Sequence, residues 1–258
     1  MIVEFIGSSG AGKTTLADML RERIGSENRV LSSAEIYLDR PGRRWIGNPI
    51  AMNLVADATS LLPLIRTWSS HRDFVRFAFR RIQRHAPSAF AKYNYMRNVV
   101  RAVGIHELSR RVGKGEMILA DEGTVLTAYF LFVYNMSPFT QDNLDEFAAL
   151  VPLPERVVYV RAPVDVLVDR AMNRPDRRRE FTGASRAEVE HWITRSTLVF
   201  EGVASAPAIR DRLLIVGGGL DGPRDLDKVV SQISSFIQEG IPSGHGETAR
   251  PMLRRSRS

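Results

Sequence analysis

Glycine, hydroxyl and lysine residues near the start of the chain have the spacing of a phosphate-binding loop. They fill every fixed position of the pattern G-x-x-x-x-G-K-[ST], and a second threonine follows. An apolar run at residues 1–6 precedes them and a helical pattern at 16–20 follows, so the loop joins a strand to a helix. The expected nucleotide-binding residues are Gly7, Ser8, Ser9, Gly10, Ala11, Gly12, Lys13, Thr14 and Thr15.

The chemistry of these residue types indicates a nucleoside triphosphate with magnesium. Glycines allow backbone N–H groups to converge on a polyphosphate at the N-terminus of a helix. Lys13 would reach the β- and γ-phosphates, and the hydroxyl of Thr14 would hold Mg²⁺, which prefers hard oxygen ligands. The alternative is an ordinary glycine turn that happens to carry a lysine. The flanking strand and helix favour ATP and Mg²⁺ as cofactors.

Composition is that of an ordinary globular protein. The chain has 258 residues, of which 44% are hydrophobic and 25% charged, with a net charge of +7 and no cysteine. Without thiolates or histidines at ligand spacing, the expected metal is nucleotide-bound magnesium. The longest apolar run, 126–136, is too short to span a bilayer, and the phosphate loop begins too early to leave room for a signal peptide. We therefore expect a cytoplasmic protein.

Basic residues are concentrated between residues 40 and 114, where the only acids are Asp57, Asp73 and Glu107. The pattern from 58 to 112 is helical, and Pro87 divides it. One apolar stripe consists of Phe74, Phe77, Ala78 and Ile82. We expect a helical insertion over about 40–115, with such stripes in the core and a basic face around an anionic substrate. Contact with nucleic acid or an anionic membrane surface is the less favoured alternative.

Carboxylates follow two of the expected strands, at the edge of the sheet where ligands bind. A short second strand leads to Glu35 and Asp39, and a buried third strand leads to Asp121 and Glu122. Asp121 is placed to hold Mg²⁺ as the Walker-B partner of the phosphate loop. Glu122, the next residue, is expected on the opposite face of that strand. A mostly apolar helix at 124–135 would follow. Its aromatic residues Phe130, Phe132 and Tyr134 are expected in the core or in a pocket wall.

The second half of the chain supplies arginines and a further glycine run. A fourth strand is followed by a helix that delivers Arg170 and then Arg174. The arginine-dense segment 174–184, which we call the lid, ends at a helix capping box that starts with Ser185. Its arginines would gather on the triphosphate, and a merely solvated loop is the alternative. Three glycines after the last strand would permit close approach to an adenine ring, with Gly218 at their centre.

These segments together resemble the thymidylate-kinase-like branch of the P-loop kinases over most of residues 1–240. The resemblance rests on the phosphate loop, on Ala120-Asp121-Glu122-Gly123 at the end of the third strand, and on the lid with its preceding helix. It implies a three-layer P-loop NTPase fold, α/β, with a five-stranded parallel sheet between helices. One domain would cover 1–240, and a disordered basic tail would follow at 241–258. The phosphate, magnesium and lid roles would fall to Lys13, Thr14, Asp121, Arg170, Arg174 and Arg178.

Two motifs of thymidylate kinases are missing from this chain. That family has Arg-Glu-Pro after the second strand and Asp-Arg-Tyr after the third, where this chain has Ser33-Ala34-Glu35 and Asp121-Glu122-Gly123. The arginines that hold a nucleoside monophosphate are therefore absent at those places. Deoxynucleoside and small-molecule kinases of similar fold carry a carboxylate after the second strand, which Glu35 matches. The favoured function is transfer of the γ-phosphoryl of Mg-ATP to a hydroxyl of a small molecule, with Glu35 taking its proton.

Two other functions stay open at the level of sequence. One is a nucleoside monophosphate kinase of the thymidylate type. The other is a P-loop ATPase or regulatory nucleotide-binding module, in which Glu122 would activate water. No segment after Asp121 resembles the signature or sensor segments of such ATPases, whereas the lid suits a kinase. The expected partners are a nucleotide and a small-molecule acceptor, and a homodimer is possible.

Overall fold

Five parallel strands form a sheet at the centre of the computed structural model. Their bounds are Ile2–Ile6 (β1), Val30–Ser32 (β2), Met117–Ala120 (β3), Arg156–Arg161 (β4) and Leu213–Gly217 (β5). The order in the sheet is β2-β3-β1-β4-β5, so the phosphate loop leaves the central strand. The structure describes residues 1–25, 29–38, 49–112, 116–120, 122–134, 136–174, 181–217 and 223–239.

Helices connect the strands and cover both faces of the sheet. Their bounds are Lys13–Ile24 (α1), Ser33–Leu38 (α2), Pro49–Arg66 (α3), Trp68–His85 (α4), Ala89–Val112 (α5), Gln141–Leu150 (α6), Val164–Asn173 (α7), Arg186–Ser205 (α8), Pro207–Arg210 (α9) and Pro223–Gln238 (α10). Among the described residues, no helix is long and apolar enough to cross a membrane.

Two hydrophobic clusters lie on opposite faces of the sheet. Val3 and Phe5 of β1 belong to a cluster that α1, α7 and α10 complete. Ile6 belongs to the other cluster, which contains residues of α4, α5, α6 and α8. Successive side chains of a strand point to opposite faces, so Glu4 lies on the face of Ile6. The succession of helix, sheet and helix confirms the expected three-layer α/β fold with a five-stranded parallel sheet.

The helical insertion lies between β2 and β3 and consists of α3, α4 and α5. The first helix begins at Pro49, earlier than the periodicity from residue 58 indicates, and the expected break at Pro87 separates α4 from α5. The stripe expected in the core is buried throughout, with Phe74, Phe77, Ala78 and Ile82 at most 3% exposed. Arg81 of α4 donates to the carbonyl oxygen of Pro138 (2.9 Å), so it belongs to the packing of α4 against the segment before α6.

Two segments differ from their expected structure. Residues after β2 fold directly into α2, a helix that is not among the expected elements. The helix expected at 124–135 is instead a 3₁₀ turn, Val125–Thr127, followed by a π-helical turn, Tyr129–Val133. Near the end of the π-helical turn, Arg195 of α8 donates to the carbonyl oxygen of Phe132 through Nε (2.9 Å) and Nη2 (2.7 Å).

Candidate active site

The phosphate loop joins β1 to α1 at the centre of the sheet edge. Gly7, Gly10 and Gly12 have φ angles of 139°, 83° and 92°, a region that favours glycine. A Cβ on Gly7 would lie 2.4 Å from the carbonyl oxygen of Val160 in β4, so no larger residue fits there. A Cβ on Gly12 would meet nothing within 4 Å. The loop therefore packs tightly against the sheet and faces open space where α1 begins.

Lys13 and two threonines form the open side of this loop. The Lys13 ammonium donates to the carbonyl oxygens of Gly7 (2.8 Å) and Ser8 (3.0 Å), so it lies across the loop. Thr14 and Thr15 are exposed in the first turn of α1. Phosphates need N–H and ammonium donors, and Mg²⁺ prefers hydroxyl and carboxylate oxygens. The residues present therefore fit a nucleoside triphosphate with its magnesium.

Two helices hold the phosphate loop from its inner side. Ser8 is buried, and its hydroxyl hydrogen-bonds with the hydroxyls of Ser196 (2.5 Å) and Thr197 (3.0 Å) in α8. Arg170, in the last turn of α7, approaches the carbonyl oxygen of Gly10 with Nη1 at 3.4 Å. The hydroxyl of Ser8 thus anchors the loop to α8, and Arg170 lies directly against the loop.

A cavity of about 340 Å³ opens in front of the phosphate loop. This volume is in the range of sites for small molecules. The walls come from the phosphate loop, the turn after β3, the helix α5 and the aromatic segment before α6. The lining residues are Gly7, Ser9, Lys13, Asn98, Arg101, Ala102, Ile105, Glu122, Gly123, Leu126, Tyr129, Phe130 and Tyr134.

The helical insertion contributes a polar wall to this cavity. Arg101 of α5 donates through Nη1 to Asn53 (2.7 Å) and through Nη2 to the amide oxygen of Asn98 (2.8 Å). Asp57 of α3 accepts from Arg97 (2.6 Å) and lies 3.7 Å from Nε of Arg101. These contacts place N–H donors at the cavity wall. Sequence reasoning missed Asn98 and Arg101, since one arginine among many on a basic helix carries no distinguishing signal.

Aromatic side chains form an apolar wall. Phe130 and Tyr134 stack with their ring centroids 5.7 Å apart, and Tyr129 meets Tyr134 edge-on at 4.9 Å. All three line the cavity, whereas Phe132 is completely buried. The expectation that these aromatic residues are core or pocket wall is confirmed. Stacked rings offer a flat surface to a planar or apolar part of a ligand.

Glu35, the expected acceptor-side carboxylate, lies in the first turn of α2. Its carboxylate accepts from Arg21 (2.6 Å) and from the backbone N–H of Ser32 (2.7 Å). Partial burial raises the pKa of Glu35, but the bonds from Ser32 and Arg21 outweigh this and hold the pKa below its ordinary value. Ser32 in turn accepts from the N–H of Glu35 (3.3 Å). The pair forms a helix capping box, and Glu35 is not among the residues that line the cavity.

Glu122 lines the cavity beside Gly7 and Lys13. The expectation that it continues the strand is wrong, because β3 ends at Ala120 and the alternation of side chains holds only within a strand. Its orientation relative to Asp121 stays a prediction. Asp121 itself is outside the described residues, so its magnesium role stays a prediction.

The lid is bounded by α7 and α8. Arg174 follows the last residue of α7 and is exposed, while Arg178 is outside the described residues. The expected capping box at the start of α8 is present, because Glu188 accepts from the N–H of Ser185 (2.7 Å) and donates its own N–H to the Ser185 hydroxyl (3.3 Å). The roles of the lid arginines stay predictions.

In the glycine run after β5, packing requires glycine at one position, Gly217. Gly217 has a φ of 134°, and a Cβ there would lie 1.8 Å from the carbonyl oxygen of Arg161. Close packing against β4 therefore requires this glycine, independently of any ligand. Gly218 is outside the described residues, so its contact with a nucleotide base stays a prediction. A second cavity, of about 520 Å³, adjoins Gly217 and Thr197, the residue that hydrogen-bonds Ser8 of the phosphate loop.

No protein-family model and no curated protein matches the chain. Among solved structures, shikimate kinase from Bacteroides thetaiotaomicron is 13% identical with a TM-score of 0.47, over 92% of this chain and 98% of the kinase. Deoxyadenosine kinase from M. mycoides is similar in two structures, over 91% of this chain and 100% of the kinase. The structure with dCMP and a flexible dCDP bound has 15% sequence identity to this chain and a TM-score of 0.48. The structure with dCTP bound has 14% identity and a TM-score of 0.45.

TM-scores below 0.5 do not carry the activities of those enzymes over to this chain. The chain's own geometry defines the class. A phosphate loop that leaves the central strand of a parallel sheet and opens a helix is the arrangement of a P-loop NTPase. The particular branch of P-loop kinases stays a prediction.

Proposed function

We propose that this protein is an ATP-dependent phosphotransferase that moves the γ-phosphoryl group of Mg-ATP to a hydroxyl group of a small acceptor molecule. The observation that carries the proposal is one cavity lined both by Gly7 and Lys13 of the phosphate loop and by Glu122. A hydroxyl held there lies beside the phosphate site and has a carboxylate to receive its proton. Phosphoryl transfer requires mainly positioning and neutralisation of charge.

The residues of the chain divide these tasks. The N–H groups of the phosphate loop and the ammonium of Lys13 bind the phosphate oxygens. Thr14 and Asp121 would hold Mg²⁺, which neutralises charge on the phosphates when bound. The γ-phosphoryl group would also be bound by Arg170 of the helix before the lid and by Arg174 and Arg178 of the lid. Closure of the lid would keep water out.

The carboxylate that receives the acceptor proton is Glu122 in this proposal. It lines the cavity, whereas Glu35 is engaged by Arg21 and Ser32. Glu35 remains the alternative, because it follows a strand whose carboxyl end lies on the ligand-bearing edge of the sheet. Matched glutamine variants separate the two.

The residues that line the cavity indicate which kind of acceptor would fit. Stacked Phe130 and Tyr134 suit a planar or apolar portion, and Asn98 and Arg101 offer N–H donors to carbonyl, carboxylate or phosphate oxygens. The cation of Arg101 favours one alternative in particular, a nucleoside monophosphate whose phosphate would pair with it. This side chain could replace the arginines that the thymidylate-type motifs would have supplied.

A P-loop ATPase is the second alternative. Glu122 lines the same cavity as Lys13, so it could orient a water molecule when no acceptor is present. Hydrolysis and transfer then differ only in which nucleophile occupies the cavity.

Incubation of the protein with γ-labelled ATP and fractionated metabolites tests the proposal. Label in an organic phosphate, formed by the wild type and not by Lys13→Ala, is the expected result. Label found only as inorganic phosphate in every fraction would favour the ATPase. An absence of any ATP consumption would overturn the phosphotransferase proposal.

A further inference from the structure

Glu4 is a carboxylate buried in the central strand of the sheet. Only 1% of the residue is exposed, and its neighbours in the sheet register are Ala120 of β3 and Val157 of β4. Buried carboxylates are rare unless polar groups replace the water that they lose. The groups that bind Glu4 therefore indicate what it does.

Those groups belong to the turn that follows β3. Glu4 accepts the backbone N–H of Val125 at Oε2 (3.2 Å) and that of Leu126 at Oε1 (2.8 Å). Both N–H groups begin a 3₁₀ turn, where partners within the helix are lacking. Gly123 passes directly over the carboxylate, because a Cβ on Gly123 would lie 2.2 Å from Cδ of Glu4. Hydrogen bonds and close contact together hold the turn against β1.

The outer side of the same turn faces the cavity. Glu122, Gly123 and Leu126 line the cavity together with Gly7, which directly follows the strand that contains Glu4. Glu4 therefore connects the phosphate loop to the turn after β3 through one short piece of β1. In the sequence, Asp121, the residue expected to hold Mg²⁺, directly precedes this turn.

We infer that Glu4 is a positioning residue, which holds the turn of residues 122–126 beside the phosphate loop, so that Asp121, expected from the sequence to hold Mg²⁺ just before this turn, can act together with the loop on one Mg-ATP. The inference rests on the proposed function. Glu4 acts through Gly123, Val125 and Leu126. In the proposed function the N–H groups of the phosphate loop bind the ATP phosphates without this turn, so Glu4 should affect only the part of ATP affinity that depends on magnesium.

The variant Glu4→Gln tests this inference, because glutamine keeps the volume but has one oxygen for two N–H groups. At pH 8 we expect its affinity for ATP with Mg²⁺ to fall at least about tenfold, a loss typical of residues that orient metal ligands. Its affinity for ATP with EDTA should stay within about twofold of wild type. Hydrogen exchange of the ligand-free protein should show faster exchange at Val125 and Leu126.

The control is Ile233→Ala, which removes a completely buried side chain of α10 on the other face of the sheet. It should lower the melting temperature and change both ATP affinities by the same factor. An equal change of both affinities in Glu4→Gln, or unchanged exchange at Val125 and Leu126, would overturn the inference. If Glu4→Gln does not fold, Gly123→Ala presses on the same carboxylate and must give the same selective loss.

The same experiment separates this inference from the proposed function. A wild-type protein that binds no ATP, or binds it without regard to Mg²⁺, contradicts the proposed function. Amide exchange is measured without ligand, so it still decides whether Glu4 holds the turn. If ATP binding depends on magnesium equally in the wild type and in Glu4→Gln, only the role of Glu4 is contradicted.

Discussion

At the scale of single residues, Lys13 has the most direct part in the proposed chemistry. Its ammonium already lies over the start of the phosphate loop, where it donates to two neutral carbonyl oxygens. A bound triphosphate would offer charged oxygens at the same place, and bonds between charged groups are stronger than bonds to carbonyl oxygens. The side chain is therefore held for ligand binding and contributes little to the core.

Lys13→Ala should abolish turnover and weaken ATP binding while leaving the melting temperature close to that of the wild type. Lys228→Ala, at an exposed position of α10, is the matched control and should behave as wild type. Steady-state kinetics and calorimetry measure both. Activity of Lys13→Ala within about tenfold of wild type, or about 1.4 kcal/mol, would contradict the assignment of the phosphate loop.

Two carboxylates compete for the acceptor proton, and their contacts differ. Glu122 lines the cavity, whereas Glu35 caps α2. We expect Glu122→Gln to lower kcat with the acceptor about 10²–10⁴-fold while ATP affinity barely changes. Glu35→Gln should mainly lower the melting temperature, because glutamine keeps an oxygen for the N–H of Ser32 but loses the charge that pairs with Arg21. A lower kcat in Glu35→Gln and an unchanged kcat in Glu122→Gln would assign the acceptor proton to Glu35. If Glu122→Gln loses only ATP hydrolysis, the result would favour the ATPase.

Glu4 makes the stability of the protein depend on pH. Burial raises its pKa from 4.5 to about 7, although hydrogen bonds from residues 124–126 partly oppose this. The unfolded carboxyl titrates near its ordinary value, so the stability that comes from protonated Glu4 is complete below about pH 4.5 and is lost as the pH rises through about 7.

Denaturant titrations of the wild type and Glu4→Gln at pH 5 and pH 8 measure this dependence. The difference between the two proteins isolates the titration of Glu4. Between these pH values the wild type should lose about 2 kcal/mol of unfolding free energy relative to Glu4→Gln. A difference that is the same at both pH values would contradict the raised pKa.

At the scale of elements, α7 and α8 connect the lid to the phosphate loop. Arg170 of α7 approaches Gly10, and Ser196 and Thr197 of α8 hydrogen-bond Ser8. A movement of the lid would therefore reach the loop through both helices. This linkage suits a lid whose closure accompanies phosphoryl transfer.

Arg174→Ala should lower kcat more than it raises KM for ATP, because a lid arginine would bind charge that develops on closure. Arg72→Ala, on the exposed side of α4, is a control that removes one positive charge elsewhere. Steady-state kinetics at varied ATP concentration separate the two parameters. An unchanged kcat in Arg174→Ala would mean that this part of the lid is only solvated.

Local patterns in the sequence indicated some elements better than others. The capping box at Ser185 correctly marked the start of α8. The same signal, Ser32 followed three residues later by Glu35, marks the start of α2. The place of Glu122 in the cavity wall could not be predicted, since it depends on the residue at which β3 ends.

At the scale of the whole molecule, the sheet and its layers were predictable because apolar strands, phosphate loop and helices follow one another in a regular order. The cavity was not, because its walls come from segments far apart in sequence. Packing of the insertion against the sheet brings Asn98 and Arg101 to the phosphate loop, and no local pattern indicates that packing. A possible homodimer stays a prediction, which sedimentation velocity of the full chain can measure.

The central claim is that the cavity between α5 and the phosphate loop holds the acceptor during transfer. Ala102 lines this cavity from α5 and is not part of the phosphate loop, so Ala102→Phe would reduce the space for an acceptor without altering the residues of the loop. Ala89→Phe makes the same substitution at an exposed position of the same helix and serves as the control.

Single-turnover transfer from γ-labelled ATP tests this claim most directly. We expect Ala102→Phe to bind Mg-ATP as the wild type does but to form at least about 10²-fold less labelled acceptor, since the acceptor hydroxyl can no longer reach the γ-phosphoryl group. Ala89→Phe should transfer label at the wild-type rate. Undiminished transfer by Ala102→Phe would contradict the claim and place the acceptor elsewhere.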